Sequence, residues 1–319
     1  MKQVISNRVL SSVTMFVFFM SAMLSAQSGK TYSEIKNEHP GWVQAPGALV
    51  SPDCVHQIPA GAKVAASEEG RTGEDVTLNG QLIAHYDSCA EASISTRHLV
   101  QEPGTGNGWV EAAQWDTALG TGDNIDFLYG YWTVPSIPKT YGALIFLFNG
   151  IEPSGGAWIV QPVLQYGDNG AFGGNYWSLA SWLVHSNTDY FVSSPISVNP
   201  GDKIYGSLWE TSISGGTVGY DVAATDQTLN QSTDLSLTAT GYHWIWAYAG
   251  VLESYNVTSC SEFPGGSSGS LEFTKTHVYH GYPNLDNLSP DFYSAEYNYG
   301  GPSCNFKVDV SGSSSTLYF

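Results

Sequence analysis

The sequence predicts an all-β protein: an antiparallel two-sheet β-sandwich with a small N-terminal lead domain. Three observations predict it. From Trp109 onward, short apolar and aromatic runs alternate with Gly, Pro, Asn and Ser clusters at fairly even spacing. No segment keeps a helical period for more than about two turns. Residues 27–108 differ from the rest in holding Arg71 and Arg97, the two arginines beyond residue 26, and two of the four cysteines.

Strands are expected at 128–134, 143–149, 157–165, 176–184, 203–209, 217–223, 234–240, 243–253, 270–277 and 305–310. Turn clusters at 153–156, 167–170, 199–202 and 214–216 separate them. In the lead region, 76–86 reads as a hairpin about Asn79-Gly80. Residues 101–108 read as a linker, and 265–269 and 311–315 as loop. The expected organisation is a signal at 1–26, a lead domain or pro-segment with its linker at 27–108, and the sandwich at 109–319.

Residues 1–26 carry Lys2 and Arg8, an apolar run from Val13 to Leu24, and Ser25-Ala26-Gln27 as a cleavage site. The run is shorter than the roughly 20 residues that span a bilayer. The expected location is therefore outside the cell or in a periplasm. Removing the signal removes all four Met and leaves nine Lys and Arg against 29 Asp and Glu, a net charge of −20.

The whole 319-residue chain has a net charge of −18, with 42% hydrophobic and only 13% charged residues. That is too apolar for a disordered chain. So acidic a chain lacks the clustered Lys and Arg that nucleic acid or an anionic membrane surface would need. Cys54, Cys89, Cys260 and Cys304 form no Cys-x-x-Cys pair, so a zinc site is not expected. Of the three possible connectivities, Cys54–Cys89 and Cys260–Cys304 each close a loop within one region and are favoured.

Most catalytic motifs are missing. There is no His-Glu-x-x-His, no Gly-x-Ser-x-Gly elbow and no P-loop. His277 and His280 read as polar strand-end residues. Two apolar strands do carry polar side chains: Trp158-Ile-Val-Gln161-Pro-Val-Leu-Gln165 and Trp244 to Tyr255, which contains Glu253. Glu152 follows Phe148-Asn-Gly-Ile on a third. In regular strands Ile159, Gln161, Val163 and Gln165 share a face, as do Val251, Glu253 and Tyr255. A carboxyl on such a face suits acid–base work. Pro162 implies an edge or a bulge nearby.

These segments resemble the eqolisins, the glutamic endopeptidases. Gly108-Trp109-Val-Glu-Ala, Tyr131-Trp-Thr-Val-Pro135, Phe148-Asn-Gly-Ile-Glu152, Ile159-Val-Gln161, Tyr176-Trp177 through Trp182, Asn199-Pro-Gly-Asp202-Lys-Ile, Gly250-Val-Leu-Glu253-Ser-Tyr255 and Gly269-Ser-Leu-Glu-Phe-Thr274 follow that family's motifs in order. The resemblance implies a concanavalin-like jelly roll, a precursor form, and a secreted endopeptidase acting at acid pH. Gln161 falls where the family has its catalytic Gln, and Glu253 where it has its catalytic Glu. Trp109, Phe148, Glu152 and Gln165 would support the site or bind substrate. Three positions depart from the family pattern: Phe148 replaces a Trp, Glu152 an Asp, and Gln165 an Asp. The implied partner is a polypeptide substrate met by a monomer, with no metal or cofactor. The alternatives are a carbohydrate-binding or glycoside-hydrolysing sandwich, using Glu152 and Glu253, and an inactive peptidase relative.

Overall fold

The computed structural model describes residues 29–319 except 68–70, 90–92, 97–98, 118, 121–122, 157, 186–188 and 298. The signal expected at 1–26 lies outside the described residues. What is described is a two-sheet β-sandwich with a small third sheet at its N-terminal end.

One large sheet, here the site sheet, runs Tyr293–Glu296, Gly106–Asp116, Trp244–Val257, Leu144–Pro153, Trp158–Asp168, Gly173–His185, Tyr190–Ser193, Val55–Ile58. The opposite sheet runs Lys307–Ser311, Ser314–Tyr318, Ser270–His280, Phe127–Thr133, Lys203–Ser214, Thr217–Asp226, Gln231–Thr240, Ala62–Ala66, Glu74–Leu78, Gln81–Tyr86. The lead region thus contributes strands to both sheets. It joins each by a parallel pairing, Val55–Ile58 on Tyr190–Ser193 and Ala62–Ala66 on Gln231–Thr240. His56 Nε2 lies 2.7 Å from Asp189 Oδ1 at the first junction.

The ten expected sandwich strands are present, several longer than expected. Four corrections apply. Residues 311–315 are not loop, because Ser314–Tyr318 is a strand whose Leu317 and Phe319 neighbourhood is buried in the core. The linker stops short of 108, because the strand Gly106–Asp116 begins within it; Gly106 pairs with Val257. That strand and the short Tyr190–Ser193 and Ile196–Val198 strands were not expected. Pro162 marks neither an edge nor a bulge: pairing with Gly173–His185 runs unbroken through Pro162↔Ser181, and register against Leu144–Pro153 is the same on both sides. The missing N–H falls opposite Asn149, where no ladder pair forms.

The two sheets enclose the main apolar core, with Leu147, Val160, Leu164, Leu208, Val222, Leu252 and Phe273 among its members. A second cluster lies on the outer side of the site sheet. Phe146, Phe148, Val163, Trp182, Val251 and Tyr255 meet Tyr32, Ala45, Ala48, Val50 and Cys54 of the lead region there. Leu144–Pro153 is therefore buried at every position. With both faces covered, the strand reads as a continuous apolar run rather than an alternation. Both disulfides join the expected pairs, Cys54–Cys89 and Cys260–Cys304.

Candidate active site

The six residues singled out from sequence as catalytic or supporting lie on the site sheet. Register assigns Phe148, Glu152, Gln161, Gln165, Glu253 and Trp109 to its outer, lead-facing side. All six are buried.

Glu253 is fully buried, and its Oε1 accepts a 2.7 Å hydrogen bond from the backbone N–H of Gly47. The Tyr255 hydroxyl also donates to Oε1 and makes a short contact with Thr96 Oγ1. Burial and the neighbouring Glu253 charge push the Tyr255 phenol well above its ordinary range, so its proton stays in place as a donor. Tyr32 stacks at a tilt on Tyr255, 5.1 Å between ring centres, and its phenol is raised for the same two reasons. Gly47, Thr96 and Tyr32 belong to the lead region, and sequence reasoning missed them as neighbours of Glu253. Contacts spanning 159 to 206 positions leave no local signature.

Gly47 sits in a hairpin formed by Val43–Ala45 and Ala48–Val50. Pro46-Gly47 forms its turn, with Gly47 at φ +78°, a conformation that favours glycine. Gln44 Nε2 ties the hairpin internally, donating to the carbonyls of Ala45 and Ala48 at 2.8 and 2.9 Å. Thr96 N donates to Gly47 O at 2.9 Å, which fixes the turn over the carboxylate.

The two glutamines differ. Gln165 lies in a row with Glu253, both opposite Phe146 on the strand between them. Its amide is engaged in the adjoining turn: Nε2 donates to Gly167 O and Phe172 O, and Oε1 accepts from Asn169 Nδ2. Gln161 lies four residues further along the strand, fully buried, with no hydrogen-bond partner on either Oε1 or Nε2. An unmet buried amide is unusual, because it forfeits its bonds to water. Gly150 leaves room beside it: a Cβ there would lie 2.9 Å from Val160 O and 3.3 Å from Gln161 Cβ.

Glu152 lies a short step from Gln161 on the neighbouring strand and accepts a 2.7 Å hydrogen bond from the Tyr248 hydroxyl. Glu152 and Tyr248 line an open cleft of about 330 Å³ together with Trp109, Trp246 and Tyr297. Trp109 packs edge-on against Phe148, Tyr248 and Tyr297 at 5.4–5.9 Å. Sequence reasoning missed Tyr248 and Tyr297. Tyr248 lies on the Glu253 strand, but it shares the outer face only because a register shift at 248–250 changes the parity, so alternation alone would place it on the other side.

The arrangement offers a carboxylate held by directed donors, a second carboxylate at the mouth of a cleft, and an amide with unused donors, all against aromatic walls. Such groups can take a proton from water and stabilise a developing oxyanion. Among the described residues no group of three or more His, Cys, Asp or Glu could hold a metal ion, and no helix is long and apolar enough to cross a membrane.

No protein-family model matches the chain. No curated protein matches it by sequence either. Among solved structures, scytalido-glutamic peptidase with a transition-state analogue inhibitor aligns at 18% identity, over 67% of this chain and 99% of its own, with a TM-score of 0.46. SCP-B, a member of the eqolisin family in complex with the tripeptide Ala-Ile-His, aligns at 16% identity over the same shares, with a TM-score of 0.44. The enzymatically active domain of tailspike protein 2 from bacteriophage CBA120 aligns at 8% identity, over 68% of this chain and 35% of its own, with a TM-score of 0.28.

Proposed function

We propose that the chain is a secreted, acid-acting endopeptidase that hydrolyses peptide bonds with Glu253, Gln161 and an activated water. The observation that carries this reading is the hairpin at 43–50. A polypeptide segment already lies on this face, with a backbone N–H on the Glu253 carboxylate. A substrate peptide would present the same kind of group there.

In this reading Glu253 takes a proton from the water that attacks the scissile carbonyl. Gln161 Nε2–H donates to the oxyanion that forms; its unused donors are suited to that role. Glu253 then passes its proton to the departing amine, which leaves as the carbon–nitrogen bond breaks. Tyr255 holds the carboxylate in position. Residues 27–108 act as a pro-segment, so catalysis requires the hairpin to leave Glu253. Export after loss of 1–26 fits the two disulfides, which persist in oxidising compartments.

The test is digestion of an unfolded protein mixture between pH 3 and 7, read by mass spectrometry, with wild type and Glu253→Gln side by side. Acid-pH cleavage by wild type alone is expected. Cleavage by neither, after removal of the lead region as well as before, overturns the reading.

A further inference from the structure

The outer face of the opposite sheet carries a second feature, far from Glu253. Three adjacent strands, Ser270–His280, Phe127–Thr133 and Lys203–Ser214, place aromatic rings on the side away from the core. Leu128 and Trp132, and Ile204 and Leu208, fill the core from the alternate positions. An outward face is normally polar. Here Tyr131 pairs with Tyr205, Phe127 with both Trp209 and Tyr279, and Tyr129 with His277. Neighbouring rings lie 4.5–6.3 Å apart, so they support one another as a continuous floor. They are partly exposed, Trp209 at 41%.

Tyr131 also forms part of an open cleft of about 660 Å³. Hydrogen-bonding side chains rim it: Thr133, Lys203, Gln227, Glu272 and Lys275. The Lys275 ammonium stands 5.9 Å from the centre of the Tyr131 ring. The charge is informative. From residue 109 to 319 the sequence has only four cations, Lys139, Lys203, Lys275 and Lys307. Two of the four line this one cleft.

We propose that this cleft and its aromatic floor bind an oligosaccharide bearing carboxylates. A pyranose ring has an apolar face of C–H groups and a rim of hydroxyls. The first suits the Tyr131–Tyr205 floor, and the second suits Gln227, Glu272 and Thr133. A carboxylate on the sugar meets Lys203 and Lys275. A polynucleotide would also stack on rings, but it needs a positively charged groove, and this chain carries a net charge of −18. A protein partner's anchor would want a floor free of charge, whereas three charged side chains rim this cleft. The site is independent of the peptidase reading, because it lies on the other sheet.

The test is calorimetric titration of the full chain with a short oligogalacturonate and with a neutral cello-oligosaccharide. Binding of the acidic sugar, at least about tenfold tighter than of the neutral one, is expected. Tyr131→Ala and the double variant Lys203→Gln/Lys275→Gln should each weaken it by about tenfold or more, with Tyr131→Phe close to wild type. All four substitutions are at the surface, and unchanged thermal midpoints confirm folding. No heat with either sugar, equal binding of both, or variants that bind like wild type would overturn the proposal. Concentration-dependent self-association abolished by Tyr131→Ala would overturn it too, by assigning the face to a second copy.

Discussion

The backbone N–H of Gly47 donates to Glu253 Oε1 at 2.7 Å, across 206 positions of sequence. The donor comes from the lead region and the acceptor from the strand that carries the proposed general base. Because Gly47 has φ +78° and contributes its N–H, both properties can be removed in one step. Gly47→Pro cannot adopt that φ and has no N–H. The expected outcome is an uncapped carboxylate: faster hydrogen exchange at 43–50, and acid-pH cleavage by the full chain raised at least severalfold over wild type. Unchanged exchange and unchanged cleavage would count against a covering role for the hairpin.

Gln161 separates stability from chemistry. Its amide is buried with no hydrogen-bond partner among the protein's own described groups. Leaving such a group unmet costs about 1–3 kcal/mol, which an apolar side chain of similar shape avoids. Gln161→Leu should therefore raise stability by about 1 kcal/mol or more in denaturant unfolding. The same substitution should lower kcat by roughly 100-fold or more, the usual loss for an oxyanion donor. A destabilised Gln161→Leu would mean that the amide is bonded in solution.

Three carboxyls, the buried Glu111 and Glu210 and the half-buried Glu74, predict how stability depends on pH. Burial pushes Glu111 up to about 9 and, with help from the charge of Asp189, Glu74 up to about 7. Burial and the adjacent Asp126 also raise Glu210. In each case the folded chain holds its proton to higher pH than the unfolded chain, so the folded state binds more protons above the unfolded carboxyl range. Stability then falls as pH rises from about 4.5 through the raised values, and is highest in acid. Thermal midpoints should be roughly 5 °C or more higher at pH 4.5 than at pH 8. Glu210→Gln should flatten the profile. The surface charge acts in the same direction through self-repulsion.

The Cys260–Cys304 disulfide closes a 44-residue separation that includes the strands Ser270–His280 and Tyr293–Glu296. Constraining a loop of that size contributes about 4 kcal/mol through the unfolded chain. Cys260→Ser/Cys304→Ser should lower unfolding free energy by an amount of that order. Cys54→Ser/Cys89→Ser acts within the lead region, so it should loosen 43–50 more than the sandwich core. Fragment-resolved hydrogen exchange distinguishes the two.

The sandwich was legible because its strands alternate or run apolar between clear turn signals, as at 199–202 and 214–216. The outward aromatic set at Phe127, Tyr129 and Tyr131 did not obscure this, since aromatic residues favour strands on either face. Strand parity was legible as well: Gln161 and Gln165 share a face with Ile159 and Val163. What parity cannot supply is which residues lie across from one another. Register places Gln165, not Gln161, in a row with Glu253, and only the turn at Asn169 explains why that amide is engaged. Residues 311–315 read as loop because a run of serines resembles a turn; the strand Ser314–Tyr318 starts inside that run, and its pairing with Ser270–His280 overrides the propensity. The covering of Glu253 by Gly47, Thr96 and Tyr32 was out of reach, since nothing local marks contacts between distant segments.

The two parallel pairings of the lead region bear on what the sandwich would do without it. Val55–Ile58 forms one border of the site sheet, and Ala62–Ala66 with the two lead-region strands beyond it, Glu74–Leu78 and Gln81–Tyr86, closes one end of the opposite sheet. Stripped of them, Tyr190–Ser193 and Gln231–Thr240 would present rows of unsatisfied amides and carbonyls, the template on which chains stack into aggregates. Neither disulfide would retain the departing piece, since each links residues on its own side of the junction at 101–105. Solubility therefore favours a release confined to the 43–50 hairpin, with the border strands left in place as permanent bumpers.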